Sequence, residues 1–201
     1  MTGPGQIVIL NGAPRSGKSS IARAMQAGFT GIWMNIGVDG AMRQTPERLL
    51  PGIGLRPGGE RPDLEAHLPG LYGALYDGIA AHARAGFNVV ADLGHHDFYS
   101  RPLGILPAMA RRLAGLDVLF VGIHCPLEVN LARRFDSAGQ KIYSTDPEII
   151  ARWEKAVHDP GIYDLELDTG ELTAEACAQR IAAALREKPA DPAFTRLAAQ
   201  G

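Results

Sequence analysis

The stretch GAPRSGKSS, Gly12 to Ser20, follows directly on the apolar run IVIL at residues 7–10 and constrains the fold more than any other part of the chain. Gly12, Gly17, Lys18 and Ser19 fit the pattern G-x-x-x-x-G-K-[ST] without mismatch. A backbone that turns several N–H groups onto one anion needs glycines, because residues with side chains resist the required dihedrals. A helix starting near Lys18 would add the positive end of its dipole, the Lys18 ammonium suits the β- and γ-phosphates, and the Ser19 hydroxyl suits Mg²⁺. Gly12, Ala13, Pro14, Arg15, Ser16, Gly17, Lys18, Ser19 and Ser20 therefore form the candidate nucleotide-binding loop. Taken alone, the motif leaves kinase, GTPase and mechanical ATPase open.

A strand must precede such a loop and a helix must follow it, and the remainder of the chain repeats that alternation. Residues 7–10, 87–92 and 117–125 are near-continuous apolar runs rich in β-branched residues, as parallel strands buried on both faces require. Residues 32–37 and 163–169 are weaker runs of the same kind. Helical patterns lie between them at 18–27, 64–85, 103–113, 127–135, 147–157 and 174–186. The expectation is an α/β fold, a three-layer α/β/α arrangement around a mainly parallel five-stranded sheet, with ligands beyond the carboxyl ends of the strands. Residues 1–187 read as one domain; residues 188–201, with two prolines and little apolar content, read as a frayed or loosely docked tail. Prolines and glycines between residues 43 and 62 break any regular element and mark either a binding loop or a surface excursion.

Composition narrows the partners. With Lys+Arg 20 against Asp+Glu 22 there is no basic field to draw nucleic acid, so an anion site must be local. No run approaches the ~20 apolar residues of a spanning helix, and the first residues lack the basic region of a signal peptide, so a cytoplasmic protein with no membrane partner is expected. Cys125 and Cys177 lie far apart without ligand spacing and suggest neither a disulfide framework nor a cysteine zinc site. Homo-oligomerisation stays open.

Two acids end candidate strands. Asp92 closes FNVVAD, where it suits Mg²⁺ alongside Ser19, and Asp39 stands in IGVDG after the run at 32–37. Asp39 suits either of two roles: a base that orients an acceptor hydroxyl, or the cap of a helix starting near Ala41. Arg133 and Arg134 suit closure over phosphates, or a solvated basic helix end. The adjacent His95 and His96 point apart, so with Asp97 they read as a substrate-contacting loop ahead of a metal site.

With these residues in place the chain resembles the chloramphenicol phosphotransferase-like family of small phosphate-loop kinases. The resemblance rests on IVILNGAPRSGKSSIAR, IGVDG, GFNVVADLG and VHDPGIYDLELDTGELTAEACAQRIAAAL, spread over most of residues 6–187. It implies a nucleoside-monophosphate-kinase-like fold, ATP and Mg²⁺, and transfer of the γ-phosphoryl group to a hydroxyl of a small molecule, chloramphenicol in the type enzyme. Carried over by position, Asp39 matches the catalytic base, Lys18 and Ser19 the phosphate and Mg²⁺ residues, and Arg133 or Arg134 the lid arginines, the lid falling at about residues 134–147. RRFDSAGQKIYSTDPEII, LGHHDFYSRP and the loop at 43–62 depart from the family pattern. A nucleoside, shikimate-like or gluconate-like acceptor is the alternative within enzymes, and a nucleotide-dependent switch the alternative outside them; no guanine-selecting N-K-x-D motif favours the switch.

Overall fold

The computed structural model describes residues 3–135 and 144–200. Residues 136–143 of the expected lid lie outside the described residues. Strands β1 (Ile7–Asn11), β2 (Trp33–Gly37), β3 (Asn88–Leu93), β4 (Val118–His124) and β5 (Leu165–Asp168) form one parallel sheet in the order β2-β3-β1-β4-β5. All five residues of β1 are buried, as are the first six of β4, because helices cover both faces there. The edge strands are only partly covered, which is why β2 and β5 carry the weaker apolar runs.

Alternation along β1 sorts the core into two layers. Val8 and Leu10 pack with Ile21 and Met25 of α1 (Lys18–Gly28) and with Cys177 and Ile181 of α8 (Ala174–Glu187). Ile7 and Ile9 face the other layer. There they join Tyr72, Tyr76 and Ile79 of α4 (Leu68–Arg84), Met109 of α5 (Ile105–Arg112), and Phe194 and Leu197 of α9 (Ala193–Ala198). The three-layer α/β/α architecture expected from the alternation is the one observed.

Four sequence expectations need correction. The segment from residue 188 is not a frayed tail: α9 lies within it, and Ala193, Phe194 and Leu197 are buried in the core beside Phe120. Its few apolar residues fall on one helical face, so low average hydrophobicity concealed a docked element. The pattern at 64–85 divides into α3 (Pro62–Glu65) and α4, since Pro69 in the first turn of α4 lacks the N–H a continuous helix would use. The helix after β2, α2 (Val38–Gln44), starts at Val38, so Asp39 sits in its first turn and is not its cap. The segment at 43–62 holds two short 3₁₀ turns, Glu47–Leu49 and Gly52–Gly54, and buries Ile53 and Leu55. It is thus a packed element and no loose excursion.

Candidate phosphate-transfer site

Asn11 ends β1 and the chain then turns through the glycine-rich stretch into α1. Gly12 stands against β4, where a Cβ would come within 2.4 Å of Ile123 O. Gly17 has φ +100°, a left-handed conformation that favours glycine, and Arg15 shares the region at φ 70°. Lys18 Nζ donates to Gly12 O at 2.9 Å and Ala13 O at 2.8 Å, and lies 3.7 Å from Asp92 Oδ1. Ser19 Oγ donates to Asp92 Oδ2 at 2.5 Å. The sheet register explains this meeting: Asp92 pairs with Leu10 of β1 on one side and with Gly37 of β2 on the other. A hydroxyl and a carboxylate in contact form an all-oxygen donor pair, which fits a hard cation such as Mg²⁺.

Gly37 brings the second acid to the same end of the sheet. A Cβ at this position would stand 2.5 Å from Asp92 O, so glycine permits β2 to run close beside β3. Asp39 follows two residues later, exposed, in the first turn of α2.

The arginine pair lies just past α6 (Leu127–Ala132) and is docked, not solvated. Arg133 Nη1 donates to Ser16 O at 3.2 Å and to Thr169 Oγ1 at 3.0 Å, while Nη2 donates to Thr169 O at 2.8 Å. Arg15 Nε in turn donates to Arg133 O at 2.8 Å. Arg134, 4% exposed, donates to Asn130 Oδ1, Ser144 O and Pro14 O. Both arginines therefore grip carbonyls of the glycine-rich loop. Asn130 adds a bond to Pro14 O and Thr169 Oγ1 one to Ser16 O.

His95 and His96 are anchors for the loop after β3. Their exposures are 2% and 5%; His95 pairs with Tyr76 Oη and stacks on Tyr72, and His96 pairs with Leu55 O. Burial pulls His95 down to about 3 and lowers His96, so both are neutral near pH 7. They also line a cleft of about 170 Å³ with Asp97, α5 and α9. The α5 and α9 residues of that cleft belong to the sheet face opposite α1, and His95 ties the cleft to the end of β1 next to the phosphate loop. His95 N donates to Asn11 Oδ1, and Asn11 Nδ2 donates to Val157 O and Tyr163 Oη. Sequence reasoning assigned no role to Asn11, Asn130, Tyr163 or Thr169. The first and last carried a signal: Asn11 is the polar residue that interrupts an apolar strand before Gly12, and Thr169 closes YDLELDT at a strand end.

A family model described as chloramphenicol phosphotransferase-like protein matches residues 5–186. A protein of Mycobacterium tuberculosis, provisionally named an O-phosphotransferase, is 27% identical over 207 residues, covering 96% of this chain and 88% of its own. Among solved structures, the Acinetobacter baumannii shikimate kinase in complex with shikimate aligns with a TM-score of 0.59 at 15% identity, over 93% of this chain and 96% of that one. The Mycobacterium tuberculosis APS kinase in complex with AMPPNP and APS aligns at 0.60 and 21%, over 93% and 100%. The Deinococcus radiodurans tunicamycin resistance protein aligns at 0.59 and 21%, over 89% and 94%. These structural likenesses establish the kinase fold.

Proposed function

The chain belongs to the chloramphenicol phosphotransferase-like family, and from that membership we propose an ATP-dependent O-phosphotransferase acting on a small hydroxylated molecule, chloramphenicol or a chloramphenicol-like antibiotic first among acceptors. The observation that carries this reading is the register Leu10–Asp92–Gly37, which gathers Lys18, Ser19, Asp92 and the strand-end acid Asp39 at one end of the sheet. An exposed acid at this strand end, two residues past Gly37, suits the hydroxyl of an acceptor.

In this reading the N–H groups of residues 13–19 and the start of α1 hold the β- and γ-phosphates. Lys18 exchanges its carbonyl acceptors for phosphate oxygens. Ser19 and Asp92 would hold Mg²⁺, which when bound offsets charge on the β- and γ-oxygens. Asp39 accepts a hydrogen bond from the acceptor hydroxyl and takes its proton as the new oxygen–phosphorus bond forms and the bond to the β-phosphate oxygen breaks. The transition state is loose, so Asp39 chiefly orients the oxygen and needs placement more than a raised pKa. Arg133 and Arg134, which hold carbonyls of the loop, are the candidate sources of positive charge for the transferred group.

The small-molecule ligands of the aligned kinases, shikimate in one and APS with AMPPNP in the other, agree with a soluble acceptor of modest size. The test is a panel of alcohols, with chloramphenicol, nucleosides, shikimate and gluconate among them, assayed for label transferred from γ-labelled ATP. The reading expects ADP formation raised severalfold or more by one acceptor, with label on that acceptor. Slow hydrolysis indifferent to every alcohol would overturn it in favour of a switch.

A further inference from the structure

We infer that His124, Glu154 and His158 form a binding site for a divalent transition-metal ion of the Zn²⁺ class, separate from the Mg²⁺ donors at the phosphate loop. His124 is the last residue of β4; Glu154 lies in α7 (Pro147–Val157), and His158, four residues after Glu154, directly follows the end of that helix. One ligating atom from each lies within 4.8 Å of the others. His158 Nε2 approaches Glu154 Oε1 to 3.3 Å, and His124 Nδ1 lies 3.9 Å from the same oxygen.

The outer hydrogen bonds fix which atoms face inward. Tyr163 Oη donates its one proton to Val157 O at 2.9 Å, so toward His158 Nδ1, also at 2.9 Å, it accepts. His158 therefore carries a proton on Nδ1, and in the neutral ring Nε2 presents a lone pair. His124 Nε2 is 2.7 Å from Glu166 Oε2, so its proton lies there and Nδ1 presents a lone pair inward. Cys125 N donates to Glu154 Oε1 at 3.1 Å, whereas Glu154 Oε2 and His158 Nε2 are buried without a hydrogen-bond partner among the described residues. Lone pairs from three side chains thus converge, and the Cys125 N–H on Glu154 Oε1 leaves Glu154 Oε2 and His158 Nε2 unanswered.

A cation resolves that arrangement. Two imidazoles and one carboxylate suit Zn²⁺, Co²⁺ or Ni²⁺, while Mg²⁺ prefers oxygen donors throughout. Ligands about 2.0–2.2 Å from a tetrahedral centre stand roughly 3.3–3.5 Å apart, close to the shortest spacing here. The rings stack at 23° with centroids 3.8 Å apart, so shared coordination requires His124 to turn out of the stack. Its side chain is 34% exposed and has room to turn, leaving the fourth position to water. Tyr163, on His158 Nδ1, is the kind of partner a metal-binding histidine uses to fix its orientation, and Glu166, 57% exposed, is free to follow His124 as it turns. The ion would brace the end of α7 against β4, next to the Asn11–Tyr163–Val157 bonds beneath the phosphate loop.

The experiment uses the full chain, stripped with a chelator, dialysed and kept free of nucleotide, with Co²⁺ as probe. A visible absorption band of tetrahedral Co²⁺ saturating at one equivalent, abolished by Zn²⁺ and absent from His124→Asn and Glu154→Gln, is the expected result. Asp92→Asn, which alters the phosphate-loop donors, keeps the band. Zn²⁺ at about a hundredfold excess over Kd raises Tm by about 5 °C or more in the wild type and not in either cluster variant. His124 is partly exposed, so His124→Asn retains the fold and its circular dichroism. No saturable band, or an equal band in His124→Asn and Glu154→Gln, overturns the site; loss of the band in Asp92→Asn alone assigns the ion to the phosphate loop and overturns it equally.

Discussion

His95 stands beside another histidine in a polar stretch, LGHHDFY, which reads as a contact loop. Packing makes it a core residue, enclosed by Tyr72 and Tyr76, and nothing within five residues of it announces those partners. The consequence is a pH dependence. His95 in the folded chain titrates at about 3, below the ordinary value of 6.5, because burial penalises the imidazolium. Between those values the unfolded chain binds the proton and the folded chain does not, so stability is complete above pH 6.5 and falls as pH drops. The slope is at most about 1.4 kcal/mol per pH unit for this one group. Urea midpoints from pH 7 to pH 5 should fall in the wild type more steeply than in His95→Gln; parallel slopes would show that His95 ionises freely in the fold. Lys18, Ser19 and Gly17 were legible at this scale because a phosphate loop needs particular residues at fixed spacing. Thr169 and Asn130 were not, because they act through loop carbonyls, Ser16 O and Pro14 O, that any sequence would offer.

Among elements, the strands that read clearly are β1, β3 and β4, whose two-sided burial forces continuous apolar sequence. The edge strands β2 and β5 gave fainter runs for the same reason in reverse. Helix α9 escaped notice because six residues supply only a short period, yet Leu197 is fully buried between the sheet and α5. Leu197→Ala should therefore cost about 2–5 kcal/mol, read as a lowered denaturation midpoint. A loss below about 0.5 kcal/mol, the surface range, would mean that the helix is only loosely docked after all. The segment at 43–62 followed its own prolines and glycines in lacking long elements. Its anchoring, through Tyr72 Oη to Ile53 O and His96 to Leu55 O, depends on residues far along the chain.

For the whole molecule, strand and helix alternation predicts parallel pairing and right-handed crossovers, and it does not give the order in which strands lie. That order decides the chemistry. Placing β3 between β1 and β2 lets Asp92 touch Ser19 and sets Asp39 at the same sheet end, where the two halves of a transfer site can meet. The roles proposed for Ser19 and Asp39 come from the family resemblance, that of Asp92 from its place at a strand end, and the strand order is what brings these residues to one sheet end. The most direct measurement compares wild type with Asp39→Asn, using the best acceptor from the panel, for ATP affinity by calorimetry and for label transfer. ATP affinity within about threefold of wild type, with transfer lowered by about 10²–10⁴, is what a base that acts on the acceptor hydroxyl predicts. Transfer undiminished, or ATP binding lost along with it, would contradict that assignment.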